Sequence, residues 1–310
     1  MRIVFCGTPE FAVPSLRHLL SFSEFQIVAV LSQPDRPRGR GQTVSASPVK
    51  EAAQAAGIPV HQPEKIRSAE SLELLRGLAP DAVVIIAYGQ IVPANLLTIP
   101  PLGWINLHAS LLPAYRGAAP IHWAIANGET RTGLTTMRID PGMDTGEILL
   151  QQPVEIGPSE TAPELSVRMA QAGAPLVAET LRGLQNGSIH TSAQDHAAAT
   201  YAPILKREDG RIHWGWSAAR IYNRTRGFSP WPGSFTTFRG QLCHIWGVPD
   251  SGCSTLPPGR ILRSGSGAQV VCGTATLLRL DGVKLEGRNR ITAAEFLNGM
   301  RVREEESFGG

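Results

Sequence analysis

Ala82-Val83-Val84-Ile85-Ile86-Ala87 is an unbroken apolar run rich in β-branched residues. A strand with one wet face alternates apolar and polar residues, so a run without alternation reads as a strand buried on both faces, as in a parallel sheet covered by helices. Working outward, residues 2 to 6, 26 to 31 and 103 to 108 read as further strands, with helices near 11 to 20, 49 to 56 and 68 to 78. This alternation predicts an α/β fold, a Rossmann-like, mostly parallel sheet with helical crossovers. Ligands of open α/β sheets bind beyond the C-terminal strand ends, which is where Tyr88 and His108 fall. Gly7-Thr8-Pro9 lacks the three-glycine nucleotide fingerprint and reads as a tight strand-to-helix turn, with Pro9 at an early helical position where its missing N–H costs nothing.

The strand ending at His108 carries the chemistry. Asn106 and His108 are two residues apart and face the same side of a strand. Asp144 follows in Asp140-Pro141-Gly142-Met143-Asp144-Thr145-Gly146, whose proline and glycines suit a tight loop presenting a carboxylate. An amide, an imidazole and a carboxylate suit acyl transfer without a covalent intermediate. Asn106 and a protonated His108 can donate to a tetrahedral oxyanion, while Asp144 orients His108 and relays protons. For an isolated histidine and a turn aspartate, packing would be the better reading; the company these three keep favours catalysis.

The chain is long enough for two domains with proper cores. Expected boundaries are 1–187 for a catalytic domain, 188–207 for a polar, alanine-rich linker, and 208–310 for a second domain. The second domain has short strand-like runs at 234–238, 242–248, 260–262, 269–272 and 276–280, separated by Gly and Pro turns and flanked by helices near 217–227 and 292–302. That is the pattern of a smaller C-terminal β-barrel. Trp214, Trp216, Trp231 and Trp246 are assigned to packing in preference to base stacking. His213 receives no catalytic role.

The net charge of +3 is unevenly spread, with −2 over residues 1–187, +1 over 188–207 and +4 over 208–310. A basic second domain suits a polyanion, although a solvated basic face explains the charge equally well. Residues 33–48 hold Arg36, Arg38 and Arg40 among prolines and glycines with no periodicity, which reads as a mobile functional loop awaiting an anionic partner. Cys6, Cys243, Cys253 and Cys272 form no Cys-x-x-Cys pair, so neither a metal site nor a disulfide framework is expected, and reduced, buried thiols in a cytoplasmic protein are. No signal peptide or membrane-length apolar stretch is read.

The Asn-x-His strand running into Ser110-Leu111-Leu112-Pro113, together with the Asp-x-Gly-x-Asp-Thr-Gly loop, resembles the signature of the folate-dependent formyltransferase family. The likeness extends along the whole chain, through Gly7–Ala12, Gln33–Gly41, Ser47-Pro48-Val49-Lys50, Tyr115–Pro120 and Arg226–Gly233. It implies Asn106, His108 and Asp144 as catalytic, Ser110, Leu111, Leu112 and Pro113 as part of a folate site, and Tyr88, Gly89, Ile91 and the loop from Asp140 as lining for the pterin. It further implies that the second domain is OB-like and that the arginine loop meets a tRNA acceptor arm; Lys206 and Arg207 join the expected RNA contacts. The implied reaction moves a formyl group from 10-formyltetrahydrofolate to the α-amine of methionyl initiator tRNA, by a monomer with no metal. An amino sugar nucleotide is the alternative acceptor. Water as acceptor, or folate or tRNA binding without catalysis, fits the chain less well. Gln42, His213 and Ala114 depart from the family pattern, and Ala114 replaces an arginine often seen there.

Overall fold

The structure, a computed structural model, describes residues 1–38 and 43–309. The chain divides into two compact units, one of residues 1–120, 131–155 and 164–203, the other of residues 121–130, 156–163 and 204–310. Two short excursions, 121–130 and 156–163, therefore belong with the second unit, which no periodicity in the sequence announces.

The first unit is built on a seven-stranded sheet. Its strands are β1 (Arg2–Gly7), β2 (Gln26–Leu31), β5 (Val60–His61), β6 (Ala82–Ile86), β7 (Trp104–His108), β8 (Arg131–Arg138) and β9 (Ile148–Glu155); β3 (Arg36–Arg38) and β4 (Thr43–Ser45) form a separate ribbon. The sheet order is β5-β2-β1-β6-β7-β8-β9. The first five strands pair in parallel and β8 and β9 are antiparallel. All five residues of β6 are buried, as the apolar run predicts.

The chain order reverses direction between β1 and β6, which is the switch point beyond whose C-terminal strand ends open α/β sheets bind ligands. β8 and β9 escape detection in the sequence because β8, Arg-Thr-Gly-Leu-Thr-Thr-Met-Arg, has six consecutive buried residues, half of them threonines, and so lacks both alternation and an apolar run. Gly133 in β8 is required sterically: a Cβ there would stand 2.4 Å from Leu111 Cδ2 and 2.5 Å from the Gln152 carbonyl oxygen.

Helices α1 (Val13–Leu20), α2 (Pro48–Ala55), α3 (Ala69–Leu78), α4 (Ala94–Leu97), α5 (Pro120–Ala126) and α6 (Ala162–Asn186) follow in chain order. Ser47 and Ser68 start α2 and α3 by accepting the backbone N–H of Lys50 and Ser71, so the first residue read as helical at 68 is the cap. The arginine segment, expected to be irregular, is instead an antiparallel ribbon in which Arg36 faces Ser45 and Arg38 faces Thr43. Arg40 and Gln42 lie outside the described residues.

The second unit holds a five-stranded antiparallel sheet of β10 (Phe235–Phe238), β11 (Gln241–Cys253), β12 (Ile261–Ser264), β13 (Gly267–Val271) and β14 (Thr276–Leu285), in the order β10-β11-β14-β13-β12. Bulges between Trp246 and Gly247 and between Asp250 and Cys253 bend the long strand β11, which lets one strand serve a partly open, OB-like barrel. Helices α7 (Ala218–Gly227) and α8 (Ala293–Gly299) pack on it, and the core joins Ile221, Phe238, Ile245, Leu280, Phe296 and Trp214. Trp214 is buried as read, whereas Trp231 is 54% exposed. His213 is exposed with its ring against Trp216. Three cysteines are buried and free, but Cys253, at the end of β11, is exposed. No helix among the described residues is long and apolar enough to cross a membrane.

Candidate active site

β7 delivers Asn106 and His108 to the C-terminal edge of the sheet. Asn106 sits between Ile85 of β6 and Met137 of β8, and His108 opposite Thr135. Asn106 is half-buried, and among the described residues its side chain has no hydrogen-bond partner. An amide left open beside a strand end is available to a ligand.

His108 is buried, with Nε2 2.9 Å from the Tyr115 carbonyl oxygen and Nδ1 3.7 Å from Asp144 Oδ2. A carbonyl only accepts, so Nε2 carries a proton. Nδ1 is then the atom whose protonation can change, and it faces the carboxylate. This refines the expectation for His108: its Nε2–H is already engaged, and the face toward Asp144 is the one open to chemistry.

Asp144 adopts a left-handed conformation (φ 52°) and receives the Gly117 backbone N–H on Oδ2 at 2.8 Å. Asp140 shapes the same loop, its Oδ1 accepting from Gly142 N at 3.0 Å and Thr145 Oγ1 at 2.7 Å, so this carboxylate closes a turn. Arg116, between Tyr115 and Gly117, sends its guanidinium to Gln194 Oε1 from Nε at 3.0 Å and Nη2 at 2.6 Å. Gln194 in turn donates from Nε2 to the carbonyls of Asp144 (2.9 Å) and Gly146 (2.7 Å).

Neither Arg116 nor Gln194 is among the residues to which the sequence assigns a role, and Gln194 lies in the segment expected to be a linker. That segment instead crosses the first unit: Ser192 exchanges two backbone hydrogen bonds with Ile148, and Thr200 and Ala202 bond to Arg116. A linker is read from polar composition, yet polar side chains also satisfy buried backbone groups, which only the fold distinguishes.

The Ser110–Pro113 turn is braced from below. Thr135 Oγ1 donates to Ser110 O at 2.6 Å and accepts from Leu112 N at 3.1 Å, while Gln151 Nε2 donates to Leu112 O at 2.9 Å. Ser110 and Leu112 are buried, with the Ser110 hydroxyl donating to Ala114 O, so these two side chains hold the turn and only the half-buried Leu111 and Pro113 remain partly open.

Tyr88 also departs from its expected place. Its ring lies in the core with Val4, Cys6 and Ile85, and burial pushes its hydroxyl pKa upward. Its carbonyl is also engaged within the unit, accepting from Thr8 Oγ1 and Gln33 Nε2. Gly89 is left-handed (φ 86°) and Ile91 is 89% exposed just beyond β6. Arg36, Lys206 and Arg207 are exposed. No group of three or more His, Cys, Asp or Glu among the described residues is placed to hold a metal ion.

An α/β unit that sets an amide, an imidazole and a carboxylate at its strand ends, followed by a small antiparallel barrel, defines a class, and the chain belongs to the formyl transferase family: the model of that family matches residues 1–181 and that of its C-terminal domain residues 204–301. The chain is 54% identical over 310 residues to the methionyl-tRNA formyltransferase of Solibacter usitatus, covering 100% of this chain and 99% of that one. It is 48% identical over 303 residues to the methionyl-tRNA formyltransferase of Geobacter sulfurreducens, covering 97% and 95%. Among solved structures, the N-formyltransferase from Helicobacter canadensis, in complex with folinic acid and dTDP-3-aminofucose, superposes with a TM-score of 0.67 at 18% identity, covering 90% of this chain and 97% of that one. At that identity the likeness is one of fold.

Proposed function

We propose that this chain transfers a formyl group from 10-formyltetrahydrofolate to the α-amino group of methionyl initiator tRNA, acting as a cytoplasmic monomer. The observation that carries the reaction class is the His108–Asp144 pair, 3.7 Å apart and each held by the segment 115–117, beside the Asn106 amide, which has no partner among the described residues. The acceptor is assigned from relatives that match the full chain at about half identity and carry that activity in their names.

The donor supplies an electrophilic formyl carbon, and the protein must manage charge and protons around it. When the amine bonds to that carbon, negative charge develops on the formyl oxygen, and Asn106 Nδ2 is the free donor to meet it. The amine must lose a proton and the leaving nitrogen must gain one. Asp144 and His108 Nδ1 are the proton-carrying groups at the site, and the Gly117 N–H keeps the Asp144 carboxylate from wandering. Residues 87–91 and 140–146, at the mouth beyond β6 and β7, would hold the folate. The exposed Ile91 and Met143 offer apolar surface, and the Asn106 amide offers a polar contact.

Arg36, Arg38 and Arg40, with Lys206 and Arg207, are proposed to hold tRNA phosphates. The test is a formyl-transfer assay with charged initiator tRNA and with an amino sugar nucleotide as competing acceptors. Transfer to the tRNA alone supports the proposal; transfer to the sugar alone overturns it.

A further inference from the structure

We infer that Gln194, backed by Arg116, is a positioning residue for Asp144, and that the buried Arg116 guanidinium serves the reaction through this amide without touching substrate. The inference rests on the proposed formyl transfer and adds to it a device absent from the trio itself. Gln194 is 6% exposed and Arg116 is 2% exposed.

The orientation of the Gln194 amide follows from its neighbours. Its Oε1 faces two guanidinium N–H donors and its Nε2 faces two carbonyl oxygens, so the opposite orientation would set donors against donors and acceptors against acceptors. The remaining contact of Arg116, Nη2 to His196 Nδ1 at 3.2 Å, makes that nitrogen an acceptor and the histidine neutral with its proton on Nε2.

The arrangement is expensive as a purely structural one. Arg116 is a buried cation with only neutral acceptors; no carboxylate among the described residues pairs with it. Burying an unpaired charge opposes folding, so a fold selected for stability alone has a better use for this position. What the cation does here is polarise the Gln194 amide, strengthening its two donated bonds to the carbonyls of Asp144 and Gly146.

Those carbonyls flank Thr145 and immediately follow the left-handed backbone at Asp144, a conformation that a non-glycine residue keeps only when its surroundings enforce it. From the other side, Gly117 N–H holds the same residue's carboxylate. Backbone and side chain of Asp144 are thus both tied to the segment 115–117, the first through Gln194 and the second directly, while Tyr115 holds His108. The distance between Nδ1 and Oδ2 is set by one three-residue segment.

The test compares the wild-type chain with Gln194→Glu and Gln194→Leu. Gln194→Glu keeps an oxygen for Arg116 but replaces the two donated bonds to the loop by an acceptor facing acceptors. The inference expects kcat to fall on the order of 10- to 100-fold, as for a reacting group misplaced by a fraction of an ångström, while KM for both substrates stays within about twofold. It also expects faster hydrogen exchange in peptides spanning 140–148. If Gln194→Leu does not fold, Gln194→Glu alone decides. An unchanged kcat with unchanged exchange overturns the inference, as does a loss confined to KM. A wild-type chain that formylates no methionyl-tRNA overturns the proposed function instead; the role of Gln194 is then decided by exchange over 140–148, and unchanged exchange in Gln194→Glu overturns it.

Discussion

The Asp144 carboxylate receives the Gly117 backbone N–H at 2.8 Å. One residue earlier the Arg116 side chain reaches the same loop through Gln194, and one earlier still the Tyr115 carbonyl takes His108 Nε2. Both Tyr115 (φ 59°) and Gly117 (φ 115°) are left-handed, which turns successive peptide groups toward different partners. His108 and Asp144, two members of the proposed trio, are therefore spaced by a segment that carries neither of them.

Gly117→Ala is expected to damage both fold and rate. An added Cβ would stand 2.7 Å from the Ala202 carbonyl oxygen, and alanine is strained at φ 115°. We expect a loss of about 1–3 kcal/mol in unfolding free energy, as for other strained backbone positions, measured by denaturant titration. The surviving folded fraction should show reduced kcat. A variant of wild-type stability would contradict the packing described here.

Asn106→Ala removes the open amide and should lower kcat by at least ~10²-fold, the scale of deleting one oxyanion donor, with folate affinity changed much less. His108→Ala should cost at least as much. Binding is read by fluorescence titration of a folate analogue and kcat by single-turnover transfer. Near-wild-type kcat in either variant sinks the assigned roles.

Acid should destabilise the second unit in two stages. Burial lowers the pKa of His122, and burial together with Lys284 and Arg207 lowers that of His244. Below about pH 6.5, the ordinary histidine value, the unfolded chain therefore takes up protons before the folded one does, so stability present above that pH declines as pH falls. Glu306 is held at about 2 by its paired hydrogen bonds from Arg239. Its contribution is complete above about 4.5 and is lost as pH falls toward 2. With the Arg239 side chain 43% exposed, solvent screening keeps that contribution small. Thermal melts from pH 8 to 3 should show a first decline that His122→Gln with His244→Gln flattens and a smaller second one that Glu306→Gln reduces.

Neutralising Arg36, Arg38 and Arg40 should raise KM for tRNA and flatten its salt dependence, because each phosphate contact releases condensed counterions. Folate KM should respond little to salt. Kinetics across a potassium chloride series test both statements, and a salt slope identical to wild type would favour a small acceptor.

Much of the first unit was legible because its signals are local. The apolar run at residues 82 to 87 announces a strand buried on both faces, the i, i+2 spacing of Asn106 and His108 places them on one face, and the Pro-Gly loop presents Asp144. Strand alternation and turn residues likewise announced the small second sheet. These properties depend on neighbours in the chain.

The tertiary structure decided what depends on distant neighbours. Tyr88 is aromatic and sits at a strand end, so ligand lining and core are indistinguishable until the fold buries its ring beside Cys6. Ser110 is polar, yet the packing of Thr135 and Gln151 turns it to structural work. Gln194 stands 50 residues from Asp144 in a stretch whose composition reads as linker, and only chain folding sets its amide between Arg116 and the 144–146 carbonyls. Local sequence specifies which groups are present and which way a strand presents them; the pairing of a buried polar group is a property of whatever else arrives at the same place.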